Sequence, residues 1–155
     1  MERADPGGLD GSGKSATHDG SGRDHPAMLR RDMPLLLIGL GGFAGAIARY
    51  LVDGAVVERM GGGFPWGTLV VNVSGSFVLG VLFAVSAERE LVPAEIRGPV
   101  LVGFIGAYTT FSTWMLESWV LVERGSYLPA LANLGGSVML GLVAMVAGLA
   151  VGRAI

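Results

Sequence analysis

Uncharged and largely apolar residues form four long stretches that are separated by short charged connections. A bilayer core of about 30 Å requires about 20 such residues in one helix. Each stretch meets this length once the first is continued through Arg49 and the third past Glu117. The stretches are residues 33–48, 61–87, 98–116 and 125–152. The pattern predicts an all-α integral membrane protein with four transmembrane helices in one domain, residues 33–155.

The N-terminal segment, residues 1–32, has the opposite composition. It contains both histidines, the only lysine and 11 of the 24 charged residues, and almost nothing apolar. Such a segment buries too little surface to offset the entropy of ordering, so we predict a disordered polar tail. Residues 8–15 match the sequence pattern of a phosphate-binding loop, GxxxxGK(S/T). Neither a core strand nor a periodic helix flanks them, so no nucleotide partner is expected.

Composition narrows the classes of function. Hydrophobic residues make up 51% of the chain, there is no cysteine, and the net charge is −2. The absence of cysteine excludes disulfides, thiolate metal sites and cysteine nucleophiles. The negative net charge leaves no basic surface for phosphates, so no nucleic-acid partner is expected. Because both histidines lie in the tail and Glu117 has no evident partner, we predict that the protein is not an enzyme.

Polar residues recur on one helical face in the second and fourth stretches. Spacings of i, i+4 and i+8 place each set on a single stripe, and the two sets lie 61 residues apart. The sets are Asn72, Ser76 and Gly80, and Asn133, Ser137 and Gly141. The stripes indicate either a polar pathway or hydrogen bonds between helices, because amides and hydroxyls are unfavourable against lipid.

The same offset relates residues 42–46 to residues 103–107. One interpretation is a two-helix unit used twice, with both halves in the same membrane orientation. The other is that small-residue packing between helices repeats glycines by itself.

The third stretch is a poor helix centre at residues 103–114, where two glycines precede a cluster of hydroxyl, β-branched and aromatic residues. If the helix breaks there, its freed carbonyl oxygens must be satisfied by protein, water or a bound cation, and Na⁺ suits them. The alternative is an unbroken helix whose hydroxyls bond to the preceding turn. Phe111 and Trp114 share a face at i, i+3, and their ring edges can contact an anion.

Three functions remain open for a membrane protein of this pattern. In an anion channel, the amides and hydroxyls of the two stripes and of the third stretch would bind the ion. A small proton-coupled multidrug-type exporter needs an embedded carboxylate in the first helix, and none occurs there before Asp53. A non-transport membrane adaptor leaves the hydroxyl cluster at residues 109–113 without a purpose. Arginines near the helix ends favour internal termini by only five to two, so the chain can insert in both orientations.

Three motifs resemble those of the Fluc-type fluoride channels, the CrcB family. They are GGFAGAIARY at residues 41–50, GTLVVNVSGSF at 67–77 and GFIGAYTTFST at 103–113. The resemblance covers about residues 35–152. It implies an antiparallel, dual-topology homodimer, with a third helix broken in mid-membrane in each subunit. It also implies a prokaryotic cell membrane, through which fluoride leaves the cytoplasm passively and is thereby detoxified.

The resemblance also assigns residues. Gly106 and Thr109 are expected to hold a central Na⁺ through their main-chain carbonyls, and Arg49 is expected in the vestibule. The expected anion path consists of Asn72, Thr110, Phe111, Ser112, Trp114, Asn133 and Ser137. Trp114 departs from the family, which usually has phenylalanine there, and adds an indole N–H donor. Tyr108 stands where the family often has a smaller or aliphatic residue.

Overall fold

The computed structural model describes residues 25–88 and 92–155, and these form helices joined by short turns. The first helix begins eight residues before the predicted start of the membrane domain, at His25. Residues 1–24, which hold most of the predicted tail and the phosphate-loop spelling, lie outside the described residues. The α-helices are His25–Met60, Trp66–Phe83, Ala94–Gly98, Gly106–Tyr108, Phe111–Glu123, Tyr127–Leu131 and Ser137–Ala154. Three π-helical turns continue them, at Ala84–Glu88, Pro99–Ile105 and Ala132–Gly136.

Four segments are long and apolar enough to cross a membrane, as predicted. We name them the first to fourth spans: Met33–Met60, Trp66–Ser86, Glu95–Glu123 and Tyr127–Ala154. Most of their large apolar side chains are exposed, including Leu35 at 67% and Val146 at 65%. An apolar exterior over this length is what a lipid environment requires. The protein is therefore a multi-pass helical membrane protein.

Two glycines in the left-handed region form the tight turns. Gly61 (φ 79°) ends the first span and Gly125 (φ 73°) follows the third. Their amide groups donate to the carbonyls of Val57 at 2.9 Å and Val122 at 2.9 Å, which closes each helix end. Glycine adopts this conformation without the steric penalty of a Cβ, so these positions stop the helices and let the next span return.

The spans pack as two parallel pairs, the first with the third and the second with the fourth. Glycines carry both contacts because they let backbones approach closely. A Cβ at Gly41 would lie 3.2 Å from the Phe104 amide nitrogen, and one at Gly148 would lie 3.1 Å from the Val81 amide nitrogen. The pairing brings together the spans that the 61-residue offset relates.

Gly45 leaves no room for a Cβ between the first and third spans, and its replacement should destabilise the protein. A Cβ there would overlap the Phe104 carbonyl group, with its carbon at 3.0 Å and its Cα at 3.2 Å. These are backbone atoms that cannot rotate away, so we expect Gly45→Ala to cost about 1–3 kcal/mol of stability. The control is Gly54→Ala in the same helix, where a Cβ meets nothing within 4 Å. The melting temperature of the detergent-solubilised protein should fall for Gly45→Ala and stay unchanged for Gly54→Ala. Equal melting temperatures of the two variants would contradict the close packing at Gly45.

An exposed ion pair joins the ends of the second and fourth spans. The Arg153 guanidinium donates to both carboxylate oxygens of Glu88, at 2.7 and 2.6 Å. This hydrogen bonding lowers the pKa of Glu88, which lies just beyond the second span. Glu88 therefore stays ionised to a lower pH than a free glutamate, and the pair is kept at neutral pH.

Candidate functional site

The third span contains an interruption at Thr109 and Thr110. Both residues have extended backbone, with φ −77° and ψ 157° at Thr109 and φ −147° and ψ 122° at Thr110. The helix Gly106–Tyr108 ends before them and the helix Phe111–Glu123 begins after them. Thr110 caps the helix Phe111–Glu123, because its Oγ1 accepts the Thr113 amide at 3.3 Å.

The Gly106 and Thr109 carbonyls are among those that lose their helical partners at this interruption. In a continuous helix the Gly106 carbonyl would accept the Thr110 amide, but that amide donates to Asn72 Oδ1 at 2.8 Å. The Thr109 carbonyl would likewise accept the Thr113 amide, which is directed to Thr110 Oγ1 instead. Gly106 and Thr109 are the two residues predicted to offer carbonyls to a cation.

Asn72 supports the interruption from the second span. Its Nδ2 donates to the Thr110 carbonyl at 3.0 Å while its Oδ1 accepts the Thr110 amide. One side-chain amide thus satisfies both backbone groups of a residue that has left the helix. Ser74 provides a second brace, since its hydroxyl lies 2.9 Å from the Tyr108 hydroxyl.

A cavity of about 480 Å³ opens beside the interruption, between the second, third and fourth spans. It is lined by polar and apolar residues and, among the described residues, by no charged side chain. The lining residues are Asn72, Gly75, Ser76, Leu79, Thr109, Thr110, Phe111, Trp114, Ser137, Val138, Gly141, Leu142 and Met145. Phe111 and Trp114 meet here edge to face, with ring centroids 5.5 Å apart at 69°.

A second cavity of about 280 Å³ lies on the other side of Thr110. Its lining differs in charge, because it includes Arg49 and Asp53. The lining residues are Ala46, Arg49, Tyr50, Asp53, Thr68, Val71, Thr110 and Thr113. Thr68 is buried and donates to Glu117 at 2.9 Å. Thr110 lines both cavities and therefore lies between them, and Asn72, which lines the first, is bonded to it.

The two asparagines of the predicted stripes have different surroundings. Asn72 lines the first cavity, whereas Asn133 is fully buried and lines neither cavity. The Asn133 amide donates to Ser118 at 2.9 Å and accepts from Ser137 at 3.3 Å. Its carbonyl accepts the Trp114 indole N–H at 3.0 Å. Asn133 is thus surrounded by hydrogen-bond partners from the third and fourth spans.

Most of the predicted path residues meet at the first cavity. They are Asn72, Thr110, Phe111, Trp114 and Ser137. Arg49 lies in the second cavity, and Ser112 and Gly106 line neither of the two. Sequence reasoning missed Thr68 and Ser118. Ser118 follows Trp114 by one helical turn, and this i, i+4 spacing indicates in the sequence that both lie on the same face of the helix.

The fold and the cavities define a small multi-pass helical membrane protein, in which a mostly apolar cavity with amide and hydroxyl groups lies next to one that contains charged residues. The family model described as CrcB-like protein, Camphor Resistance (CrcB), matches residues 36–149. The chain belongs to this CrcB family.

Two relatives named "Fluoride-specific ion channel FluC" are similar over nearly their whole length. The protein from Solidesulfovibrio magneticus is 50% identical over 118 residues, which cover 76% of this chain and 94% of the relative. The protein from Magnetococcus marinus is 47% identical over 123 residues, which cover 79% of this chain and 100% of the relative.

Proposed function

We propose that this protein is a fluoride-selective channel and not an enzyme. The observation that carries the proposal is its similarity, at about half of the aligned positions, to two relatives named as fluoride-specific ion channels. The match to the family model, residues 36–149, includes the interruption and the residues around the first cavity. The first cavity, whose mostly apolar lining includes the Asn72 amide and several hydroxyl groups, is the proposed anion path.

The chemistry of the first cavity suits a small, strongly hydrated anion. A pore for such an ion replaces water with hydrogen-bond donors while avoiding a fixed cation that would trap it. Asn72 uses one amide hydrogen on the Thr110 carbonyl, which leaves the second for an anion. The helix beginning at Phe111 adds the positive end of its dipole, and the Phe111 ring adds a positive edge.

The second cavity is proposed as the vestibule. Arg49 there attracts anions near the entrance, and Thr110, which lines both cavities, lies between this vestibule and the path. Transport is passive: a potential negative inside drives an anion outward by about 2.3 kcal/mol per 100 mV. In the cell membrane of a prokaryote, this flow would lower cytoplasmic fluoride.

Sodium is proposed as a structural cofactor at the interruption. The carbonyls of Gly106 and Thr109 fit it, because their helical N–H partners donate elsewhere and carbonyl oxygens are ligands that hard cations prefer. When bound, Na⁺ would supply positive charge that satisfies these oxygens. The interruption in mid-membrane is thus proposed as a cation site as well as a wall of the anion path.

Two copies are proposed to associate as an antiparallel, dual-topology homodimer. Phe111 lines the first cavity and is still 70% exposed, so one chain leaves the wall of the path incomplete there. The chain lacks cysteine, so a cysteine replacing Ser126 between the third and fourth spans can report topology. In a dual-topology protein this cysteine lies on both faces of the membrane. Labelling of Ser126→Cys from both faces therefore supports the proposal, and labelling from one face only contradicts it.

Ion release from liposomes containing the purified protein tests the function. With valinomycin and a potassium gradient but no proton gradient, we expect rapid fluoride release and no chloride release above that of protein-free liposomes. Equal release of both ions, or of neither, would refute the proposal. Release that requires a proton gradient would instead support the exporter. A chain that folds but passes no ion would support the adaptor.

A further inference from the structure

Tyr108 reaches from the third span to the second, directly before the interruption. Its hydroxyl lies 2.9 Å from the Ser74 hydroxyl. Ser74 Oγ also donates to the Val71 carbonyl at 3.2 Å, which uses the one hydrogen of that hydroxyl. The Tyr108 hydroxyl is therefore the donor, and Ser74 Oγ accepts from it. Two hydrogen bonds in series thus connect the Tyr108 side chain to the backbone of the second span.

The ring of Tyr108 is held as well as its hydroxyl. It stacks on the Phe104 ring, with centroids 6.1 Å apart and planes at 5°. It also lies against Gly75, where an added Cβ would be 3.2 Å from ring atom Cδ1 and would overlap the Thr109 methyl group. Gly75 is buried, and its missing side chain leaves the space that both neighbours occupy. Stacking, this close contact and the hydrogen bond together fix the orientation of the ring.

Thr109 lies between two residues that the second span holds. Tyr108 before it donates to Ser74. Thr110 after it bonds, through its amide and its carbonyl, to the Asn72 side chain. The Thr109 carbonyl and the Thr110 amide belong to one peptide plane, so the bond to Asn72 fixes the direction of that carbonyl. Because Asn72 and Ser74 lie two residues apart in one helix, Thr109 is held at both ends by a rigid element.

We propose that Tyr108 is a positioning residue for the sodium site, acting through Ser74. Ligands that are already in place bind an ion more tightly, because less conformational freedom is lost on binding. The Ser74–Tyr108 bond holds the start of the interruption, so that the Gly106 and Thr109 carbonyls are placed before sodium binds. The bond tightens the site without being a condition for it, since Asn72 holds the other end. The inference rests on the sodium site of the proposed function.

Two substitutions remove this bond from opposite sides. Tyr108→Phe keeps the ring and removes the donor, and Ser74→Ala removes the acceptor. Neither residue lines the first cavity or the second. The control for the first is Tyr127→Phe, at the start of the fourth span, where the side chain is 65% exposed. The control for the second is Ser86→Ala, which removes a hydroxyl that donates to the Leu82 carbonyl within the second span.

The melting temperature of the purified protein in sodium measures the site without transport. Sodium would be titrated against N-methylglucamine at constant ionic strength. A weaker site needs proportionally more sodium for the same rise in melting temperature. We expect this sodium concentration to increase about threefold to tenfold in Tyr108→Phe and in Ser74→Ala, as for the loss of one hydrogen bond behind a metal ligand. Both controls should keep the value of the unsubstituted protein.

A purely structural bond gives a different result. If both variants melt at a lower temperature but need no more sodium than the unsubstituted protein, the inference is overturned. The double variant, Tyr108→Phe with Ser74→Ala, tests the route through Ser74. Because the two changes remove the same bond, the double variant should need no more sodium than the more affected single variant. Increases that multiply would contradict the route through Ser74.

The inference can fail separately from the proposed function. Fluoride release at a series of sodium concentrations should shift to higher sodium in both variants by the same factor as the melting titration. If the unsubstituted protein is stabilised by sodium but releases no fluoride, the channel proposal fails and the melting titration still decides the inference. If sodium stabilises the unsubstituted protein no more than N-methylglucamine does, the inference fails, and fluoride release still decides the channel proposal.

Discussion

Asn72→Asp should abolish most fluoride efflux, by at least about 100-fold. Aspartate keeps the oxygen that accepts the Thr110 amide but replaces the Nδ2 donor, so a carboxylate oxygen would face the Thr110 carbonyl now bonded at 3.0 Å. The variant also puts a negative charge beside the path. At an effective dielectric constant near 20, two unit charges at 4 Å repel by about 4 kcal/mol, which is more than enough for this loss. Liposome efflux with a fluoride electrode measures it.

The second asparagine provides the control for this substitution. Asn133→Asp makes the same chemical change at a residue that is fully buried and lines neither cavity. We expect it to lower the melting temperature more than Asn72→Asp does, because it places a charge in the interior and removes the donor to Ser118. The neutral variant Asn72→Ala extends the test if Asn72→Asp does not fold. Wild-type efflux from a folded Asn72 variant would remove Asn72 from the path.

Complete removal of sodium should stop fluoride efflux, with a loss of about tenfold or more. The carbonyls of Gly106 and Thr109 have lost their helical N–H partners, and an unsatisfied carbonyl at membrane depth costs several kcal/mol. Without a cation, the interrupted backbone is disfavoured relative to conformations that satisfy these oxygens. The protein would be purified and reconstituted with N-methylglucamine or potassium salts at matched ionic strength.

Readdition of sodium is the control for damage during this treatment. Efflux should return when sodium replaces potassium at the same total concentration, because the hydrogen bonds between Asn72 and Thr110 favour the interrupted backbone again once the cation satisfies the two carbonyls. Full efflux in sodium-free buffer would contradict the cation site and would indicate that protein or water satisfies the two carbonyls. That outcome would leave the proposed anion path intact, because the path is argued from the Asn72 contacts and from the similarity to relatives named as fluoride-specific ion channels, and not from the cation.

The four spans and the family could be predicted from the sequence because both depend on local information. A stretch of uncharged apolar residues crosses a bilayer whatever its neighbours are, and the spans in the structure agree with the stretches in the sequence. The start of the first helix was less predictable. Helix ends depend on weak local preferences, and the helix extends to His25 before the apolar pattern begins.

The candidate site could be predicted in residue type and only partly in arrangement. The i, i+4 spacing placed Asn72 with Ser76, and the structure has both at the first cavity. The same spacing placed Asn133 with Ser137, and here only Ser137 reaches the cavity. A stripe specifies one face of a helix, but it does not specify which neighbouring helix covers that face or at what height.

By itself, the sequence determined the class of protein, the number of spans and the set of polar groups that had to be kept from lipid. The tertiary structure decided how these groups are used. Asn72 supports the backbone of Thr110, 38 residues away, while the Trp114 indole bonds the Asn133 carbonyl, 19 residues away. The physical reason is that a side-chain donor bonds an acceptor only within about 3 Å. Which acceptor lies within that distance depends on how neighbouring spans pack, and this cannot be read from one span alone.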